Sequence, residues 1–236
     1  MRRDHRPIWV KNLQDVLNRT YVDWRIKPRL DSVGNDFRVM YPRHLQLSGP
    51  NIHIGNHVHV MALYDRSVRL SVFEGLGEIR IGHYSIVNPG SKVSSANRIV
   101  IGESCMLAMN AYLSDADWHD TQHRIFAPGK TAPITLQNNV WVGESALIGK
   151  GVTIGENSIV GACSVVTKDV PSNSIVAGVP AKLVGHIDAD NLTSRKAMFS
   201  MEQPYDEFEL DYFSRILGSN TLAGWLKTSI LPGPKD

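Results

Sequence analysis

A six-residue beat constrains this chain more than any other feature. From Leu136 to Pro171 an aliphatic residue recurs at every sixth position: Leu136, Val142, Ile148, Ile154, Val160 and Val166. Glycine follows four of them, as Gly143, Gly149, Gly155 and Gly161. A small or β-branched residue stands four positions after each, at Val140, Ala146, Val152, Ser158, Ser164 and Val170. The unit recurs upstream, opening at Ile54, Ile81, Val87, Ile101 and Leu107. This period fits neither a helix nor a plain alternating strand. It fits coils whose flat sides are short strands. In Ser158-Ile159-Val160, alternation sends Ser158 and Val160 inward and Ile159 outward, and Gly161 is expected to take the corner. Three sides give a coil of roughly 18 residues, and stacked coils bury a core that no single coil can bury. The expected fold is an all-β repeat, a parallel β-helix.

The outward positions are Trp141, Leu147, Thr153, Ile159, Val165 and Pro171. One coil apart, Trp141 should lie over Ile159 and Leu147 over Val165, making two apolar columns. A contiguous apolar strip marks an interface. Self-association with closed symmetry is the expectation, against the alternative that the chain's own terminal helix covers the strip.

Hydrophobic residues make up 42% of the 236, enough for one well-buried domain with appendages. A net charge of +2 argues against a general nucleic-acid binder. No apolar run approaches a membrane span, and MRRDHRPIWV at the N-terminus lacks the apolar stretch of a secretory signal. Two cysteines, Cys105 and Cys163, offer no disulfide framework, so a reducing cytoplasm is the simplest setting. Cys105 fills the small inward slot of its hexad.

Three segments are expected: an N-terminal helical cap at 1–44, the β-helix at 45–185 with an extruded loop at 114–133, and a C-terminal helical extension at 186–236. Residues 9–27 read as an amphipathic helix, with Val10, Leu13, Leu17 and Trp24 near one stripe and Pro28 ending it. Lys11, Arg19, Arg25 and Lys27 make it basic, so contact with a membrane surface is an alternative to capping the open end of the stack. Ser67–Phe73 reads as a strand inside a break at 62–78. Asp190 or Asn191 is placed to cap a helix running to Phe199. Residues 206–217 and 221–228 look helical on either side of Gly218, and Pro232 and Pro234 close the chain.

The stretch from Ser114 to Arg124 interrupts the beat with acids, histidines and a tryptophan. Long loops in compact domains often carry function. A histidine beside carboxylates can be oriented and kept basic near neutrality, which suits a general base. A solvated polar loop is the plain alternative.

The hexads, the block PITLQNNVWVGESALIGKGVTIGENSIVGACSVVTKDVP and the ending SIVAGVPAKLV resemble the hexapeptide-repeat acyltransferases, in particular the maltose, galactoside and xenobiotic O-acetyltransferases. The resemblance covers roughly 79–185. It implies a left-handed β-helix, a homotrimer with active sites between subunits, and acetyl-CoA as acyl donor. The resemblance puts the catalytic histidine at His119, with His123 second. It puts an acceptor-binding asparagine at Asn88. The family's acidic acceptor contact falls on Ala96, a departure, so Asp115 or Asp117 would contact the acceptor or orient His119. Trp141 would wall the cleft between subunits. Gly143 and Glu144 would follow it along the CoA arm, Glu144 standing where the family usually has serine. Gly161 and Ala162 would give pantetheine a flat surface, with Thr167 and Lys168 near the arm and phosphates and Lys182 near the nucleotide. A lysine acts there as a point charge for phosphate. The acceptor would be a small molecule or saccharide, with no nucleic acid and no metal involved.

Two rival readings use other residues. His53, His57 and His59 suggest a metal cluster, against outward decoration of a coil. His83, His119 and His123 would suit zinc, as in the γ-class carbonic anhydrases, which share the β-helix. A non-catalytic scaffold is a further alternative, since fold does not imply function. Such a chain would have no need of His119 and Lys168.

Overall fold

The computed structural model describes residues 4–200, 205–231 and 233. Among them the strands form three sheets, of six, eight and six members. Face one carries Ser32–Val33, Ile52–Ile54, Ile79–Ile81, Ile99–Ile101, Ile134–Leu136 and Thr153–Ile154. Face two carries Arg38–Met40, His59–Met61, Ile86–Val87, Met106–Leu107, Trp141–Val142, Ile159–Val160 and Ser174–Gly178, and ends in the antiparallel strand Ala181–His186. Face three carries Leu45–Ser48, Val68–Val72, Lys92–Ser95, Tyr112–Ser114, Leu147–Ile148 and Val165–Val166. Up to Gly178 the chain visits the faces in order, and each strand pairs in parallel with the strand one coil away, so this is a three-sided parallel β-helix.

The hexad prediction holds residue by residue. Leu136, Val142, Ile148, Ile154, Val160 and Val166 are buried, as are the small partners Val140, Ala146, Val152, Ser158, Ser164 and Val170. Trp141 lies over Ile159 and Leu147 over Val165. The buried serines are satisfied: the Ser158 hydroxyl donates to the Pro171 carbonyl at 2.7 Å and accepts from the Ser174 N–H at 3.1 Å.

The corners correct one expectation. Gly161 does not carry the left-handed conformation. That falls two residues later, on Cys163, and likewise on Ser145 and Asn157, with φ of 57°, 56° and 62°. Asparagine tolerates this region best after glycine, and Asn139, Asn157 and Asn173 stack there. Asn139 Nδ2 donates to Asn157 Oδ1 at 3.0 Å, and Asn157 Nδ2 to Asn173 Oδ1 at 2.8 Å. The hexad glycine serves close approach instead. A Cβ on Gly155 would sit 2.3 Å from the Ser172 nitrogen, and one on Gly143 would sit 2.6 Å from the Val160 oxygen.

The β-helix also begins earlier than 45. Ser32–Val33 pairs with Ile52–Ile54, and Arg38–Met40 with His59–Met61. Phe37 and Val39 are buried in the same core, closed by Val22 and Ile26 from the turns that follow Tyr21. Val33-Gly34 followed by Phe37 and Val39 is a hexad like the others. The expected strand at 67–73 is present as Val68–Val72. The helix expected from Asp190 to Phe199 is two short 3₁₀ turns, Ala189–Asn191 and Arg195–Phe199, the first capped by Asp188 rather than by Asp190 or Asn191.

The chain divides into two compact units, 21–196 and a helical unit of 1–20 with 197–236. The N-terminal helix is Ile8–Tyr21. The downstream helices are Tyr205–Leu217 and Leu222–Ile230, the latter capped by the Thr221 hydroxyl. Within this unit Asn220 Nδ2 donates to the carbonyls of Asp4 and Arg6 at 2.8 and 3.0 Å, and the Lys11 ammonium lies 3.9 Å from the Phe213 ring centre. Pro232 and Pro234 lie outside the described residues. No helix among those described is long and apolar enough to cross a membrane.

Candidate active site

The interruption at 114–133 is a hairpin. Ala116 and Thr131 form an antiparallel bridge. Above it the Asp117 N–H donates to the Lys130 carbonyl at 2.8 Å, and the Gly129 N–H to the Asp117 carbonyl at 2.7 Å. The return strand crosses so close to His119 that a Cβ on Gly129 would meet the His119 carbonyl at 2.4 Å.

His119 stands on this hairpin with its side chain exposed and its ring without a hydrogen-bond partner among the described residues. The neighbouring acids are committed elsewhere, so none of those carboxylates touches its ring. Asp115 is fully buried. Its carboxylate accepts from the Ser95 hydroxyl at 2.6 Å and from the N–H groups of Ala96 and Asn97 at 2.7 and 3.0 Å. A buried, saturated carboxylate has nothing left for an acceptor molecule. Asp117 pairs with Lys150 at 2.6 Å. Asp120 accepts from the N–H groups of His123 and Gln122, which hold its carboxyl below the usual range. His123 is exposed near the tip, edge-on to Phe126 with ring centres 6.3 Å apart. Trp118 folds back, its indole N–H donating to the Ser114 hydroxyl at 3.1 Å, with Phe73 6.0 Å away.

Sheet membership assigns the other residues to corners. Asn88, Gly143, Glu144, Gly161 and Ala162 follow strands of face two and turn into face three, with Trp141 just before them. His119, His123, Lys150, Thr167 and Lys168 follow face three and turn into face one. One chain therefore spreads these residues along the two edges of face three and does not gather them. Asn88 Nδ2 donates to the Leu107 carbonyl at 2.8 Å, so half of its amide is spent on the coil. Gly143 is buried, and a Cβ there would meet the backbone of the next coil. Its role is coil spacing. Trp141 is 44% exposed, and Glu144, Ala162, Thr167, Lys168 and Lys182 are exposed. Lys168 and Lys182 have no ion-pair partner among the described residues.

Within one chain His83 is not brought together with His119 and His123. His83 sits on the corner from face one into face two, away from the corner of His119 and His123, and its Nδ1 accepts from the Asn56 N–H at 2.8 Å. His57 is bonded to Asp36 at 3.0 Å and stacked on Tyr84. His59 is buried rather than outward decoration. Burial first, then the charges of Arg195 and Arg38, push its pKa down to about 4. Among the described residues no three His, Cys, Asp or Glu side chains converge as a metal site would need.

Three contributors escaped the sequence reading: Lys150, Asn97 and Thr131. Lys150 was legible, since Leu113 pairs with Ile148 and the residue two after Ile148 must meet the hairpin root.

Residues 133–168 match the family described as bacterial transferase hexapeptide (six repeats). The galactoside O-acetyltransferase of Escherichia coli strain K12 is 38% identical over 112 residues, covering 47% of this chain and 55% of that protein. The match thus spans about half the length of that relative. The N-acyltransferase AntD of Bacillus cereus, solved with dTDP-4-amino-4,6-dideoxyglucose and coenzyme A, superposes with a TM-score of 0.58 at 20% identity, over 80% of this chain and 94% of that one. A hexapeptide-repeat acetyltransferase of Vibrio cholerae gives 0.51 at 21% identity, over 77% and 93%. At these identities the two structures speak for the fold alone. The chain is a left-handed parallel β-helix carrying the hexapeptide repeat.

Proposed function

We propose that this chain is an acyl-CoA-dependent acyltransferase, an O-acetyltransferase moving acetyl from acetyl-CoA to a hydroxyl of a sugar or polysaccharide precursor. It works as a homotrimer with His119 as general base. The observation that carries the reading is an exposed histidine, free of partners among the described residues, on an anchored hairpin at one edge of face three, with an exposed tryptophan and small-residue corner at the other edge. Two edges of one face become one site when a neighbouring copy brings its Trp141 edge against the His119 edge. The apolar columns Met106–Trp141–Ile159 and Tyr112–Leu147–Val165 support that contact. The sugar acceptor is supported by the E. coli relative, named for a galactoside.

CoA supplies an activated acyl thioester. Gly161 and Ala162 give its arm a flat bed, and Lys168 and Lys182 offer point charges to its phosphates. His119 removes the proton of the acceptor hydroxyl as its oxygen attacks the thioester carbonyl, and returns it to the sulfur as the C–S bond breaks. Such transfer contributes about 10²–10⁴-fold. Two free cysteines support a reducing compartment such as the cytoplasm. The test is acetyl transfer from labelled acetyl-CoA to a panel of sugars. Turnover should vanish in His119→Ala with CoA affinity retained. Full turnover in that variant would move the base elsewhere, first to His123.

A further inference from the structure

We infer that Asp115 and Asn97 are positioning residues for His119, forming with Thr131 a clamp that fixes the root of the hairpin. The inference rests on the reading of His119 as the base. A carboxylate leaves water only at a cost that hydrogen bonds must offset. Asp115 is fully buried and meets that cost with three donors from a single corner, Ser95 to Asn97. The Ser95 oxygen in turn accepts from the Glu78 N–H at 3.3 Å, so the link reaches one coil further down.

The return strand is tied to the same corner. Asn97 Nδ2 donates to the Thr131 hydroxyl at 3.1 Å, and the Ala132 N–H donates to the Asp115 carbonyl at 3.0 Å. Asn97 thus holds both strands of the stem, one through its backbone and one through its side chain. Two other corner aspartates hold less. Asp31 and Asp169, both exposed, each cap one strand N–H, of Ile52 and Thr153, with one bond. The stem is short, and His119 lies four residues beyond Asp115, so a shift at the root moves the imidazole. A displacement of about 1 Å at a reacting group costs on the order of 10²-fold in rate.

Steady-state kinetics of Asp115→Asn, Asn97→Ala and the double variant test this, beside Ser85→Ala. Ser85 is a buried hydroxyl linking coils at another corner, bonded to the Gly102 carbonyl at 2.9 Å and the Cys105 N–H at 3.0 Å. The clamp variants should lose about 10–100-fold in kcat with the KM for acetyl-CoA unchanged. The double variant should be no worse than the worse single, because both act through one clamp. Ser85→Ala should lower Tm without lowering kcat. Asn97→Ala leaves the Asp115 carboxylate bonded, so it stays informative if Asp115→Asn does not fold. Wild-type kcat in Asn97→Ala, or kcat falling in step with Tm in all variants including Ser85→Ala, would overturn the clamp alone. An inactive wild type, or an active His119→Ala, would overturn the base assignment and this inference with it.

Discussion

Cys105 and Cys163 stand on the same scaffold with opposite accessibility. Cys105 fills an inward slot, its thiol donating to the Gln137 carbonyl at 3.0 Å, and burial pushes its pKa up to about 12. Cys163 is exposed at a corner beside Ala162. A thiol reagent should therefore modify one cysteine in the native protein and both after unfolding, and saturating acetyl-CoA should slow the native reaction at Cys163. Equal native reactivity of the two would contradict the burial. His59 gives a pH signature. Its folded pKa of about 4 lies below the ordinary 6.5, so the unfolded chain binds the extra proton between those values. Stability should be complete above about pH 6.5 and fall as pH drops toward 4, by on the order of 2–3 kcal/mol from this group. His59→Gln should flatten that slope in Tm against pH. At this scale the sequence shows which residues are candidates for chemistry but not which way they face. Asp115 and Asp117 look alike as acids beside a histidine, yet one is spent on a buried corner and the other on Lys150.

Each side of the coil divides its labour among inward aliphatic, close-packed glycine and left-handed corner residue. The glycines are not equivalent. A Cβ on Gly155 would overlap the Ser172 nitrogen at 2.3 Å, whereas one on Gly149 would approach no atom nearer than the Val166 oxygen at 3.3 Å. Gly155→Ala should thus cost about 1–3 kcal/mol or more and lower Tm, while Gly149→Ala should lower it clearly less. Equal Tm in the two would refute the spacing role. Truncation of an inward residue, as in Ile148→Ala, should cost about 2–5 kcal/mol in chemical denaturation. The strands were legible because period six fixes which residues are inward. The first coil was missed because its hexad, from Val33 to Val39, stands alone before an irregular stretch. The 3₁₀ turns near Arg195 were misread because a capping acid and an apolar spacing do not distinguish one turn from a helix.

At the scale of the molecule, face three determines the account, because its two edges carry the two halves of the proposed site. Trp141→Asp should leave the coil intact, since the ring is outward, and should dissociate the oligomer by placing a charge in an apolar contact. Light scattering that still reads a trimer would show that the strip is not the interface. Mixing His119→Ala with Lys168→Ala subunits under conditions of subunit exchange would check which edges meet. Both residues lie on the same edge, so a site formed from one subunit's His119 edge and its neighbour's Trp141 edge predicts no recovery for this pair and partial recovery for His119→Ala with Ala162→Trp. The architecture was legible because a repeat fixes the whole from one unit. The helical unit was legible only as elements, since no repeat ties it to the coil.

The most direct measurement is calorimetric titration with acetyl-CoA of the wild type, Lys168→Ala and His119→Ala. Saturable binding to the wild type and to His119→Ala, weakened in Lys168→Ala, is the predicted result. No binding to the wild type would contradict the acyl-CoA reading and leave a scaffold in its place.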